Sequence, residues 1–301
     1  MQTYKITSKC DGLELDVLEV DPITPPKGIV QMAHGMAEHK ERYLEFMNFL
    51  ARHGYIAIIH DHRGHGKSIR SKEDRGYFYE EKAEYIVEDL HDITLSLKAR
   101  YPKLPVYLFG HSMGSLVVRK YIKKYDKDID KLIVCGSPSK NPLAPFAISL
   151  VNFVEKFKGD HHRSAFINNL AFNGYDKKFD ENNPNCWLSE NKDNVLEYNE
   201  NENDGFIFTC NGFKNLFTLM KDVYDEKGWA KNHLDLPILF IAGANDPVII
   251  SKEDWRQAQV FLNQIGYKNI KGKLYANMRH EILNEIRKED VMNDILHFLE
   301  N

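Results

Sequence analysis

Five short runs carry residue types able to do chemistry: HGMAEH at 34–39, HDHRGHGKS at 60–68, GHSMG at 110–114, GANDPV at 243–248 and MRHE at 278–281. The sharpest is Gly110-His111-Ser112-Met113-Gly114. A serine between glycines is an ordinary loop serine unless a strand runs in and a helix runs out. Here residues 106–109 read as a buried strand and residues 115–123 as a helix. That setting predicts a tight strand-to-helix turn with Ser112 exposed at the carboxyl edge of a sheet, the flanking glycines being needed because strand and helix approach too closely for side chains. The turn also puts Ser112 at a helix N-terminus, where free N–H groups and the helix dipole favour an oxyanion.

A nucleophilic serine needs a base, and the base needs an orienting acid. In a sheet of this type they follow in the order Ser, Asp, His. Residues 238–242 read as a strand that ends in Gly243-Ala244-Asn245-Asp246, so Asp246 lies past a strand's carboxyl end. Residues 271–275 read as the next strand, and His280 falls in the loop before the last helix. Asp before Pro is also a common turn former, and a loop histidine is also common in solvent. Order and placement together select Asp246 and His280 as acid and base. An oxyanion hole needs two backbone donors: Met113, directly after the serine, and Met36, in the loop after the strand at 28–33. The run from His60 to His65 matches the H-x-H-x-D-H pattern of binuclear zinc hydrolases except at Gly64, where the acid is missing. No metal and no cofactor is expected. Asp61 and Arg63 are expected to pin that turn by hydrogen bonds.

The elements that must hold these residues are legible as alternating periods. Residues 3–20 alternate around Asp11-Gly12, a hairpin signal. Short apolar runs follow at 28–33, 55–59, 106–109, 131–135, 238–242 and 271–275. Between them, Ile86, Val87, Leu90, Ile93 and Leu97 share one helix face, as do Leu116, Val117, Tyr121 and Ile122, and the last helix carries Val291, Ile295, Leu296 and Leu299. A hairpin followed by strand and helix in alternation predicts an α/β fold with a mostly parallel central sheet and helices on both faces. The alternation breaks over 140–235, read as an inserted helical lid between two parts of a core at 1–139 and 236–301. The lid holds 10 of the 17 phenylalanines, on helices marked by Phe146, Ala147, Leu150, Val151 and Val154 and by residues 213–220. Such enrichment is expected to serve an apolar ligand site, with Phe146 and Phe153 as substrate contacts.

Charge and cysteine usage narrow the class. The 40 basic residues against 44 acidic ones argue against a nucleic-acid partner. No apolar run reaches the ~20 residues needed to cross a bilayer, and the first twenty residues contain no apolar stretch of signal-peptide length. The four cysteines, Cys10, Cys135, Cys186 and Cys210, form no CxxC pair, which fits a reduced, cytoplasmic setting.

Taken in order, the five motifs resemble the α/β-hydrolase group of monoacylglycerol lipases and lysophospholipases, which also includes serine aminopeptidase-like members. The likeness spans nearly the whole chain. It implies the α/β-hydrolase fold, Ser112, Asp246 and His280 as triad, and Met36 and Met113 as oxyanion donors. The expected activity is serine-dependent hydrolysis of a lipid-like monoester with an apolar acyl group. The lid is expected to allow transient contact with a membrane surface. Two rivals stand beside this reading: an aminopeptidase or amidase of the same fold, using lid acids such as those within 176–204 to hold a substrate ammonium, and a non-catalytic ligand receptor on the same scaffold.

Overall fold

The computed structural model describes every residue except Asn173 and Asp180. Eight strands form one sheet: β1 (Gln2–Thr7), β2 (Glu14–Val20), β3 (Gly28–Ala33), β4 (Tyr55–His60), β5 (Val106–His111), β6 (Lys131–Cys135), β7 (Ile238–Gly243) and β8 (Ile270–Tyr275), in the spatial order β1-β2-β4-β3-β5-β6-β7-β8. β1 pairs antiparallel with β2, and β2 antiparallel with β4, while every pairing from β4 through β8 is parallel. The helices are α1 (Leu44–Arg52), α2 (Tyr85–Arg100), α3 (Met113–Tyr125), α4 (Ala144–Lys158), α5 (Ala165–Phe172), α6 (Lys192–Glu200), α7 (Cys210–Asp222), α8 (Lys252–Ile265) and α9 (Lys288–Glu300). The sheet is the mostly parallel, helix-covered one expected, and the fold is the α/β-hydrolase fold.

Parallel strands covered on both faces are continuously apolar, because successive side chains must bury into opposite layers. In β5, Leu108 joins the layer under α2, α3 and α8, and Phe109 joins the layer under α1 and α9. In β7, Phe240 and Ile241 divide in the same way. This two-sided burial fixes the register of β5 to β7, and so the height at which Ser112 and Asp246 are delivered; β8, expected as an apolar run, is an edge strand with Lys271, Gly272 and Lys273 exposed, and its parallel pairing with β7 sets the height of His280.

The chain between β6 and β7 carries α4 through α7. Val151 of α4 and Phe213 of α7 belong to the same apolar layer as α2 and α3, so this segment shares the main core. α4 packs on α7 with Ala144 and Val151 buried and Ala147, Ile148 and Val154 half-buried. α6 was not apparent in the sequence: it buries only Asn194, Val195 and Tyr198, too few apolar positions to mark a helical period.

Candidate active site

Ser112 sits between β5 and α3 with φ 51° and ψ −119°, a strained conformation for a residue with a Cβ. Its N–H donates to Cys135 O at 3.0 Å, tying the turn to the end of β6, and its carbonyl accepts from Ser115 Oγ at 2.5 Å. A Cβ on Gly110 would strike the Gly114 carbonyl, and one on Gly114 would strike the Ala33 carbonyl. Both glycines are therefore required by the approach of α3 to β5 and β3.

Asp246 follows β7 and is buried. Its Oδ1 accepts from Val248 N at 2.8 Å, and its Oδ2 accepts from His280 Nδ1 at 2.9 Å. With the proton on Nδ1, the Nε2 of His280 is left as the basic nitrogen. His280 and Ser112 both open on one cavity of about 230 Å³. Met36 and Met113 line the same cavity. Met113 opens α3, so its N–H has no intrahelical acceptor. Met36 stands between two pinned neighbours: Gly35 N–H donates to Glu38, and Ala37 N–H donates to His65 Nε2 at 3.2 Å.

That last contact gives the histidine-rich run a role. His34 Nε2 accepts from His62 N–H at 2.8 Å while its Nδ1–H donates to Gly35 O at 2.8 Å. His65 Nδ1–H donates to Arg63 O at 3.1 Å. The rings of His34, His60, His62 and His65 pack against one another in the interior, buttressing the Met36 loop. Asp61 and Arg63 do hold the turn: Asp61 accepts from Lys40 N, Lys40 Nζ and Lys67 N, and Arg63 pairs with Asp89 and donates to Phe78 O. Among the described residues no group of His, Cys, Asp or Glu has the arrangement of a metal site.

Burial holds these four histidines neutral: His34 is lowered to about 4, His60 and His65 to about 3, and His62 well below the ordinary value. The unfolded chain takes up protons on them near pH 6.5 and the native chain does not. Their contribution is thus complete above pH 6.5 and is lost as pH falls toward 4, each costing up to about 1.4 kcal/mol per pH unit. His39 and His111 are raised instead, so both states already carry their protons below pH 6.5 and they add no slope there. The melting temperature is therefore expected to fall steeply between pH 6.5 and 4.5; a flat profile over that interval would contradict the neutral buried cluster.

Behind the serine, His111 joins a buried network absent from the sequence reading. Its Nδ1 faces Tyr43 Oη at 3.0 Å and Glu38 Oε1 at 3.4 Å, and its Nε2–H donates to His280 O at 3.2 Å. Burial alone would lower His111, but the hydrogen bond to Glu38 and that carboxylate's charge raise it. Burial would likewise raise Glu38, yet the bond from His111 and the charges of His111 and Arg42 hold it far below the carboxylate range. Both residues stand in the quoted motifs, at the x position of GHSMG and the fifth position of HGMAEH. Only the fold shows that they meet.

The cavity walls correct the expectation for the lid. Phe146 is 63% exposed and Phe153 62% exposed, and neither lines the cavity. They lie seven residues apart on α4, hence on one face, and that face is not the one α4 packs on α7. The apolar wall is instead Leu170 and Phe172 of α5, Phe206, and Leu216, Phe217 and Met220 of α7. Tyr175 and Trp187 close it above His280, and Asn141, Asn168 and Asn185 supply neutral polar groups. The 216, 217, 220 spacing is a helical face that the sequence does display. The positions of Tyr175 and Trp187, in short irregular stretches, carry no such signal.

Known proteins share this architecture. The family described as serine aminopeptidase, S33, matches residues 24–287. The monoglyceride lipase of Rattus norvegicus is 26% identical over 95% of this chain and 86% of its own length. The monoacylglycerol lipase of Mycolicibacterium smegmatis is 23% identical over 91% of this chain and 88% of its own. A thermostable carboxyl esterase from Bacillus coagulans, solved in complex with glycerol, superposes with a TM-score of 0.89 at 26% identity, covering 99% of this chain and 97% of that one. The chain belongs to the serine aminopeptidase S33 family of α/β-hydrolases and is an enzyme of the serine-hydrolase type.

Proposed function

We propose that this enzyme hydrolyses lipid-like carboxylic monoesters, of monoacylglycerol or lysophospholipid type, through an acyl-enzyme on Ser112. One observation carries the reading: Ser112, His280, Met36 and Met113 share a single cavity whose far wall is Leu170, Phe172, Phe206, Leu216, Phe217 and Met220. Ser112 Oγ attacks the acyl carbon as His280 Nε2 takes its proton. Asp246 keeps the Nδ1–H tautomer and stabilises the imidazolium. The Met36 and Met113 N–H groups bind the tetrahedral oxyanion. The imidazolium then protonates the leaving alcohol, and water activated by His280 releases the fatty acid. The lipase names of the relatives and the glycerol-bound esterase support this chemistry.

The head group is read from charge. Among the described residues lining the cavity there is no lysine or arginine, while three asparagines face it. A neutral polyol suits such a wall better than a phosphate. The aminopeptidase reading needs a carboxylate free to hold an ammonium. The cavity's two carboxylates are already engaged: Glu281 accepts from Arg42 at 2.5 Å and Asn194 at 2.7 Å, and Glu38 from Gly35, Tyr43 and His111. The receptor reading leaves the buried Asp246–His280 bond unexplained. The four cysteines, unpaired, fit the reduced cytoplasmic setting that belongs to this proposal.

The lid's outer face supports contact with lipid aggregates. Leu143, Phe146, Phe153, Phe157, Phe166 and Leu170 are all exposed, with Phe153 and Phe157 rings 5.1 Å apart. Leu170 is also part of the cavity wall. Among the described residues no helix is long and apolar enough to cross a membrane.

An ester panel of graded acyl length, with glycerol and lysophospholipid head groups, tests the proposal. Each methylene buried against the wall contributes about 0.8 kcal/mol, roughly fourfold in kcat/KM. The expected profile rises from acetyl to medium chains and levels once the cavity fills, with glycerol esters ahead of phosphate-bearing ones. Phe217→Ala should flatten the slope and spare acetyl esters. Phe153→Ser with Phe157→Ser should lower turnover of aggregated substrate and spare monomeric esters. A wild-type preference for acetyl over octanoyl esters would reject the lipid reading.

A further inference from the structure

We infer that Trp187, a residue of the lid, is a positioning partner of His280 whose ring face stabilises the imidazolium formed when Ser112 gives up its proton. The inference rests on the serine-hydrolase reading of the site and adds a residue to it. The ring centroids of Trp187 and His280 lie 5.1 Å apart with planes inclined by 40°. A cation within about 6 Å of an indole face is attracted by the ring quadrupole, more strongly where water is excluded. Tyr175 contacts the indole edge-on at 5.1 Å.

His280 needs such a partner because of what faces it elsewhere. On another side lies the His111 ring, centroid to centroid 4.7 Å, with both nitrogens placed to donate, Nδ1 toward Glu38 and Nε2 toward the His280 carbonyl. A second cation forming beside His111 meets repulsion. Asp246 answers it through Nδ1. Of the neighbouring charges in the same loop, Glu281 is spent on Arg42, and the Arg279 guanidinium turns away to Cys186 O, Ser189 O and Glu181. Cys135 is a buried thiol whose ionisation burial opposes, and Tyr175 is held in its neutral form by burial. The aromatic ring that the lid sets beside the imidazole is Trp187.

The ring pair is fixed by bonds from the residues adjoining each ring. Arg279, just before His280, donates to Cys186 O at 2.6 Å, just before Trp187. Glu281, just after His280, donates its N–H to Leu188 O at 2.8 Å, just after Trp187. The two rings are thus held between a matched pair of contacts, and this part of the lid travels with the histidine loop.

The test compares Trp187→Phe and Trp187→Leu in the full chain, with p-nitrophenyl acetate as a substrate too short to reach the apolar wall. Losing the π face makes the imidazolium less stable both in the resting enzyme and in the transition state. Trp187→Leu is therefore expected to lower plateau kcat about three- to tenfold and to move the acid limb of the kcat/KM–pH profile down by about half a pH unit. Trp187→Phe should stay closer to wild type in both. A plateau loss with an unmoved acid limb, or no change in either, would overturn the proposal and leave Trp187 a wall residue. A second readout does not depend on turnover. In the wild type and in Ser112→Ala, the Trp187 emission, identified by difference against Trp187→Phe, should be quenched as pH falls through that acid limb, and His280→Gln should abolish the transition. Emission that ignores the limb would overturn the stack. Because this signal persists without turnover, its failure is distinguishable from failure of the esterase reading.

Discussion

Replacing Ser112 with alanine is expected to lower kcat for any accepted ester by a factor of about 10⁴ or more, because nucleophile, base and acid act as a unit and little is left when one is removed. The fold should be unaffected. Ser112 Oγ holds up no part of the turn; the Ser112 N–H to Cys135 and the Ser115 hydroxyl to the Ser112 carbonyl do. What remains should be the contribution of the Met36 and Met113 N–H groups and of substrate binding. Steady-state kinetics with a soluble ester, alongside thermal melting, checks both halves. Activity within tenfold of wild type would remove Ser112 from the chemistry.

Asp246→Asn should cost about 10³- to 10⁴-fold in kcat while leaving the melting temperature within a few degrees of wild type. The Asn carbonyl can still accept from Val248 N–H, which preserves the turn after β7. The amide that replaces Oδ2 offers a donor to His280 Nδ1, so the imidazole turns to the tautomer with its proton on Nε2. That nitrogen can no longer receive the serine proton. The contrast is with Asp204 of the lid, whose carboxylate pairs with His39 and Arg42 rather than with His280. Loss at Asp204 with tolerance at Asp246 would invert the assignment of the acid.

Much of this site could be read from the chain before folding because its parts are local. A serine in GHSMG and an aspartate after an apolar run each announce a strand end by composition, whereas the strand before His280 is a largely exposed edge strand with two lysines. Parallel strands buried on both faces leave the plainest possible pattern, and their carboxyl ends carry the chemistry. The segment between β6 and β7 obeyed no such rule. Phe146 and Phe153 looked like binding residues because they are large and apolar, yet the helical period turns them outward while Ala147, Val151 and Val154 turn in. The same enrichment did reach the cavity through Phe172, Phe206 and Phe217. The Glu38–His111 pair and the Trp187–His280 stack join residues 73 and 93 positions apart in the chain, and no local pattern encodes a meeting of that kind.

The histidine-rich run illustrates a different limit. Its spacing suggests metal chemistry only until the missing acid is noticed, and its use is mechanical: His65 and His62 hold the loop that presents Met36. A buried histidine that serves as a backbone acceptor must stay neutral, which couples the shape of the Met36 loop to pH through groups remote from the serine itself.

The acyl-enzyme is proposed to form on Ser112. This is tested most directly by inactivating the wild-type enzyme with a fluorophosphonate and mapping the adduct by peptide mass spectrometry. One adduct per chain is expected, on Ser112, accumulating in step with the loss of esterase activity and absent from Ser112→Ala. An adduct on any other residue, or full activity in a chain that takes up no label, would contradict it.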